Sequence, residues 1–521
     1  MTIRLPQDLF TKKDLEQIRY RGVPVEEAIR QIALFRNPPA FLTLDRPCLV
    51  GDGILVISSD EIQELVALHG RAAREGRVQR FIPASGAASR MFRDLLYYQR
   101  QQRDLLPGDL EEDLRAGRKE AETLQVFLEK MRRFAFADDL EQALAIPSGS
   151  LDRLARSGPF QPILDALLSK DAMDYSDLPK GLLKFHAYTD EVRTPLEEHM
   201  IEAAEDVRDD RGTCRLHFTV SIDHLDRFRT HLDAVRRRYE TRLGVRYEVT
   251  FSVQKPSTDT LSLDMQGHPA RNADGSLLFR PSGHGALIEN VQDLKADLLI
   301  VKNIDNVAED RLKPATATWS RVLVGLLVKV QQEASALVRR LWDGADATAV
   351  ADATRFLERT LHRTYVSTGA SRETVRELLE RPIRICGMVA NRGEPGGGPF
   401  WVRGRDGSLS LQIVERMQID PESLEQQEAF GAGTHFNPVF MALGLQDGRG
   451  RPFDLERYVD SATAVITVKS SEGRDLKVLE RPGLWNGAMA GWNTIFVELP
   501  IEVFNPVKTV VDLLRTAHQG S

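Results

Sequence analysis

Apolar residues recur at helical spacing over residues 7–37 (Leu15, Ile18, Val25, Ala28, Ile29, Ile32), and Pro38-Pro39 closes that stretch. A second helix is predicted over 60–75 with Ser59 or Asp60 as its N-cap, followed by a strand over 78–82, the first of the main unit. From Met91 to about Met173 the chain is rich in Leu, Glu, Arg and Gln at helical spacing, with breaks near Pro107, Pro147 and Pro159, which reads as a helical insertion or cap. Strands predicted over 183–186, 215–221, 247–254 and 298–304 then alternate with helices over 195–204, capped by Thr194, and 223–238. That alternation predicts a mainly parallel sheet covered by helices on both faces. Residues 266–285 form a loop rich in Asn, Asp and Gly, two helices are expected over 315–342 and 347–362, and residues 383–497 turn strand-rich.

The resulting expectation is an N-terminal helical appendage (1–75), an α/β core (76–315) carrying a helical insertion at about 95–175, a helical segment (316–378) and a strand-rich C-terminal part (379–521). At 521 residues with 42% hydrophobic and 28% charged residues, this is the composition of a soluble globular protein. A net charge of -7 leaves no overall electrostatic footprint for nucleic acid or an anionic membrane, so any polyphosphate must be met by local basic residues. The first residues lack an apolar run, and the longest later one, 322–328, is far too short to span a bilayer. Three distant cysteines, Cys48, Cys214 and Cys386, suggest neither a disulfide framework nor a zinc site. A reducing cytoplasm is expected, and the oligomeric state stays open.

One stretch reads as a phosphate cradle. Phe81-Ile82-Pro83-Ala84-Ser85-Gly86-Ala87-Ala88-Ser89-Arg90 reads as an apolar strand end, a run of small residues, then Arg90 in the first turn of a helix. Residues without bulky side chains let a polyanion approach the backbone, and a helix start offers unpaired N–H groups and a positive dipole end. Any tight strand-to-helix turn favours the same residues, so this loop gains meaning from four later segments. Pro179-Lys180 places a point charge behind a proline-stiffened turn. Gly283-His284-Gly285 would let the backbone lie against a flat base or sugar while the imidazole reaches a phosphate or hydroxyl. Asp305, at the carboxyl end of a central strand, points toward the crevice where open α/β sheets bind ligands and is a natural oxygen ligand for Mg2+. Lys508 closes the set near the C-terminus.

In this order the segments resemble those of sugar-nucleotide pyrophosphorylases. There a glycine-rich loop ending in Arg is followed by Pro-Lys and by a helix opening much as Thr194-Pro195-Leu196-Glu197-Glu198-His199 does. Pro281-Ser282-Gly283-His284-Gly285 looks like the Pro-Gly-His-Gly stretch of UDP-sugar pyrophosphorylases, and Asn303-Ile304-Asp305-Asn306 is similar to their Asn-Ile-Asp-Asn. Phe504-Asn505-Pro506-Val507-Lys508-Thr509 resembles the Phe-x-Pro-Val-Lys-Thr element, whose Lys contacts phosphates. Phe436-Asn437 and Leu479-Glu480 resemble weaker, sugar-contacting elements, and Gln254 stands where that family has a polar residue ahead of a proline. Over nearly its whole length the chain also resembles the uncharacterised family called domain of unknown function 4301.

The resemblance implies a Rossmann-like nucleotidyltransferase fold of the GT-A type: a mixed sheet covered by helices. It implies Arg90, Lys180 and Lys508 as catalytic; Ala84, Ser85, Gly86, Ala87, Gln254, Gly283, His284 and Gly285 as nucleotide-binding; Asn303, Asn437 and Glu480 as sugar-binding; and Asp305 as the Mg2+ ligand. The substrates would be a sugar 1-phosphate and a nucleoside triphosphate, UTP by the closest likeness, with pyrophosphate released. There are departures. Ser85-Gly86 replaces two adjacent glycines, about eighty extra residues separate Arg90 from Lys180, and the domain that follows the Lys508 element in UDP-sugar pyrophosphorylases is not expected here. Two alternatives stay open: a nucleotide-sugar-dependent glycosyltransferase, and a catalytically inactive nucleotide-binding protein of the same fold.

Overall fold

The computed structural model describes residues 9–86, 88–147, 149–342, 347–364, 371–394, 396–471 and 473–520. Its centre is a ten-stranded mixed sheet built from β1 (Leu49–Val50), β2 (Gly53–Leu55), β3 (Val78–Pro83), β4 (Thr213–Val220), β5 (Arg246–Val253), β6 (Leu298–Lys302), β7 (Ile383–Ala390), β8 (His435–Phe436), β9 (Phe440–Gly444) and β10 (Asn493–Glu498). The order across the sheet is β1-β2-β10-β7-β9-β6-β3-β4-β5, with β8 pairing off this path onto β7. Along that path β9 alone runs against its neighbours β6 and β7. The expected α/β class and mainly parallel sheet are what the chain forms.

Alternation along β6 shows why the sheet is covered on both faces. Leu298 and Ile300 enter one apolar core with Ile82, Phe218, Leu323 and Leu327, whereas Leu299 and Val301 enter another with Phe81, Met441 and Phe496. Each such fully buried side chain contributes about 1.5–3 kcal/mol relative to exposure. On the first face the helices Ser59–Arg74 and Lys313–Trp342 cross so closely that a Cβ on Gly325 would lie 1.9 Å from the carbonyl of Leu65. No helix among the described residues is long and apolar enough to cross a membrane, and Cys48, Cys214 and Cys386 are buried free thiols.

Between β3 and β4 the chain forms a series of short helices, from Arg93–Gln99 to Gln161–Leu168. It builds its own core, into which Val307, Val507, Val510 and Leu513 are also packed. The segments that follow β6 and β10 are therefore clamped between the sheet and this helical lobe.

Four details depart from the sequence reading, the first being that the helix Ser59–Arg74 is capped by Ser58 and not by Ser59 or Asp60. The first strand of the main sheet is β1, not β3, because residues 49–55 pair at its edge beside β10; strands of two and three residues show no alternation to read. The N-terminal helical stretch is two helices, Lys12–Tyr20 and Val25–Arg36, broken at Gly22 with φ of +75°. Where a strand was expected over 183–186, the chain forms a short 3-10 turn, Lys180–Leu182, and a two-residue strand, His186–Ala187, outside the main sheet.

Candidate active site

At the carboxyl edge of the sheet, four stretches far apart in sequence are laced together by their backbones. Ile304 N–H donates to Pro83 O (3.2 Å), Ala88 N–H to Leu178 O (3.1 Å), Val507 N–H to Asp305 O (3.1 Å) and Val510 N–H to Met91 O (3.1 Å). Lys180 stands at the centre. Its neighbour Gly181 packs so tightly that a Cβ there would meet the Phe228 ring at 2.8 Å, which fixes where the lysine begins. Its ammonium donates to Asp305 Oδ2 (2.9 Å) and to the backbone carbonyl of Val507 (2.7 Å). Lys508 Nζ lies 3.8 Å from the same Asp305 oxygen.

The two lysines differ in exposure. The Lys180 and Asp305 side chains are each 11% exposed and that of Lys508 is 56% exposed. Burial alone would push the Asp305 carboxyl up, but the charges of Lys180 and Lys508 outweigh it and hold the group below the ordinary carboxylate range. Asp512 fixes the loop that presents Lys508: its Oδ2 accepts from the N–H groups of Lys508 (2.8 Å) and Thr509 (2.7 Å). Two ammonium groups and one carboxylate leave a surplus positive charge at the rim.

Beside this cluster runs the small-residue loop. Ala84 is buried, while Ser85 and Gly86 are exposed. Gly86 has neither a positive φ nor any atom within 4 Å of where a Cβ would sit, so the fold does not require glycine there and the space in front of it is open. Ala87 lies outside the described residues. The expected helix start at Arg90 is a single 3-10 turn, Ala88–Arg90, and the α-helix begins only at Arg93. The anticipated helix-dipole contribution to the cradle is therefore absent. Arg90 itself is exposed, with no ion pair among the described residues.

The other candidates divide. Gln254 follows β5 half-buried, with no hydrogen-bond partner for its Nε2 among the described residues. Asn303 is half-buried two residues before Asp305, and its carbonyl faces His199 Nε2 at 3.2 Å. Asn437 is buried and its amide is consumed internally, donating to Gly387 O (3.2 Å) and accepting from Val439 N–H (2.9 Å). His284 does not offer the free imidazole expected of it. Its ring stacks on Trp485 at 4.0 Å, Nδ1 accepts from Leu484 N–H (3.0 Å), and burial pushes its pKa down to about 4. Gly285 is accounted for by packing, since a Cβ would fall 2.3 Å from Pro482 O. Gly283 lies next to Glu480, which is paired with Lys469 (2.6 Å). His284 and Glu480 line a separate small cavity of about 30 Å3 with Ser282, Glu415 and Asn486. Among the described residues no hydrogen bond or ion pair joins this group to the Lys180–Asp305–Lys508 cluster.

Sequence reading missed the buried charges beneath the site. Arg80 on β3 donates to Glu202 (2.8 Å) and Asp206 (2.9 Å), and Lys302 at the end of β6 donates to both oxygens of Glu202 (2.8 and 2.9 Å). The signal was present: a charge in the middle of an apolar strand, and carboxylates at Glu198, Glu202 and Asp206 recurring every fourth residue along one helix face.

The family model described as Domain of unknown function (DUF4301) matches residues 11–519. The chain belongs to this family. No curated protein sequence matches it. Among solved structures it is similar to a UDP-glucose pyrophosphorylase from Leishmania major, at 12% identity and a TM-score of 0.45, covering 96% of this chain and 77% of that one. A mutant of the Leishmania major enzyme in complex with UDP-glucose gives 11% and 0.44, and a UDP-glucose phosphorylase from Trypanosoma brucei 13% and 0.44, both with the same coverage. Likeness at this level lends no weight to the role of any residue in the DUF4301 chain.

Proposed function

We propose that the carboxyl edge of the sheet around Lys180, Asp305 and Lys508 binds a nucleoside triphosphate and catalyses nucleotidyl transfer to a sugar 1-phosphate. The observation that carries this reading is the meeting of Lys180 and Lys508, drawn from distant parts of the chain, on the one carboxylate of Asp305 beside the open backbone of Gly86. A phosphate oxygen of the sugar 1-phosphate attacks the α-phosphorus; the new P–O bond forms as the α-phosphorus bond to the β-bridging oxygen breaks, and pyrophosphate leaves with that electron pair. The nucleophile is already an anion, so no general base is required. Catalysis then rests on alignment and on neutralising the charge that develops at the pentacoordinate phosphorus.

Each residue has a part that follows from its placement. Lys508, exposed and tethered at its backbone by Asp512, swings onto the phosphates. Lys180 holds Asp305 and the Val507 carbonyl together from below and so sets where Lys508 starts. Arg90, exposed and with no ion pair among the described residues, grips phosphate oxygens from the loop side. UTP and a hexose 1-phosphate are the first substrates to try, the base and sugar being carried only by the sequence resemblance.

The residues do not make a resident magnesium site. Asp305 presents one carboxylate whose Oδ2 is already shared by two ammonium groups, which leaves an incoming cation no unopposed charge to pair with at that oxygen. The test of the function is direct: each nucleoside triphosphate is incubated with a panel of sugar 1-phosphates, with and without magnesium, and released pyrophosphate is measured. Turnover with at least one pair supports the reading. Tight nucleotide binding without pyrophosphate from any pair would leave a binding protein in its place.

A further inference from the structure

We infer that this chain binds polyphosphate without a resident divalent cation, Lys180 standing at Asp305 where a metal would otherwise sit. The inference rests on the reading that this edge is a phosphate site, and deepens it. A divalent cation in a polyphosphate site is held by one or two carboxylates together with the substrate's own oxygens. Here the place beside Asp305 Oδ2 is taken by an ammonium at 2.9 Å that is itself fixed by a second acceptor, Val507 O, at 2.7 Å.

That lysine is not a loose surface group that swings aside at no cost. Its backbone N–H faces Gly86 O at 3.4 Å, its own side chain is 11% exposed, and Val507 is fully buried in the core of the helical lobe. Displacing it to admit a cation would strand the buried Val507 carbonyl without its donor. A cation would also arrive between two ammonium groups, where repulsion opposes it. A polyanion meets the opposite situation. It gains Lys508 and the third N–H of Lys180 and leaves the Asp305 pair intact.

The experiment is calorimetric titration of the full chain with inorganic tripolyphosphate, once in a chelating buffer and once with magnesium. Wild type is expected to bind in both, with affinities within about threefold of each other. Lys180→Met frees Asp305 Oδ2, so its binding in chelator should weaken about tenfold or more and recover with magnesium. Asp305→Asn, measured alongside in case Lys180→Met does not fold, should bind in chelator at least as tightly as wild type, because two ammonium groups lose their partner. Wild-type binding that appears only with magnesium, or an Asp305→Asn protein that loses binding, overturns the inference while leaving the phosphate site standing. Absence of tripolyphosphate binding in both buffers overturns the phosphate reading and the inference with it.

Discussion

Two clusters of lysine or arginine with carboxylates lie within one strand's length of each other, and they are built on opposite terms. In the interior, Arg80 and Lys302 face Glu202 and Asp206, two positive groups against two negative, none more than 3% exposed, with Ser320 Oγ also donating to Asp206 (2.6 Å). At the carboxyl edge, Lys180 and Lys508 share the single carboxylate of Asp305, and Lys508 reaches solvent. A buried charge left unmatched is costly, so the interior set must balance. Surplus charge persists only where water or a ligand can meet it. The imbalance at the edge, more than the mere presence of charged residues, is what marks that cluster as the candidate site.

The comparison can be broken most forcefully from the interior side. Arg80→Met should destabilise the fold by about 3–5 kcal/mol, since it leaves Asp206 buried without its main cation; chemical denaturation that shows a loss under about 1 kcal/mol would mean the interior cluster is not the balanced structural element described. Next in size, Lys508→Ala should lower turnover by about 100–1000-fold, the range for loss of one preorganised charge donor, with Tm nearly unchanged. Comparable losses of stability and turnover in that variant would erase the distinction between the clusters.

A smaller effect is expected at Gly86. Gly86→Leu places a side chain in space the fold leaves open, so stability should hold while tripolyphosphate affinity drops about tenfold. Unchanged affinity would remove the loop from the site. A last effect appears in acid and comes from buried histidines. Burial holds His199 near a pKa of about 3 and His217 near about 4. In the unfolded chain both protonate near pH 6.5, so below that value the unfolded state binds more protons and stability falls with pH, by up to about 1.4 kcal/mol per unit for each histidine. Thermal melts against pH should therefore begin to decline near about 6.5, and His217→Gln should flatten the slope.

Much of this was legible in the sequence because it is local. Thr194 with Pro195 and Glu197 announces a capped helix, and the structure shows the full capping box. The order of small loop, Lys180, Asp305 and Lys508 marked four segments that do come together. What was not legible depends on partners from elsewhere in the chain. Trp485 covers His284 from 201 positions away, and the carbonyl of Pro482 occupies the space Gly285 leaves. The 3-10 turn at Arg90 was read as a helix because small residues suit both. Lys180 was visible as a lysine behind a proline, but its hold on the backbone of Val507 leaves no mark on either segment.

Pyrophosphate release from nucleoside triphosphate and sugar 1-phosphate is the decisive assay for nucleotidyl transfer at the carboxyl edge of the sheet. Stoichiometric pyrophosphate and nucleotide sugar are expected with at least one pair, lost in Lys508→Ala while the variant still melts like wild type. No pyrophosphate from any pair, or equal release by wild type and Lys508→Ala, would contradict it.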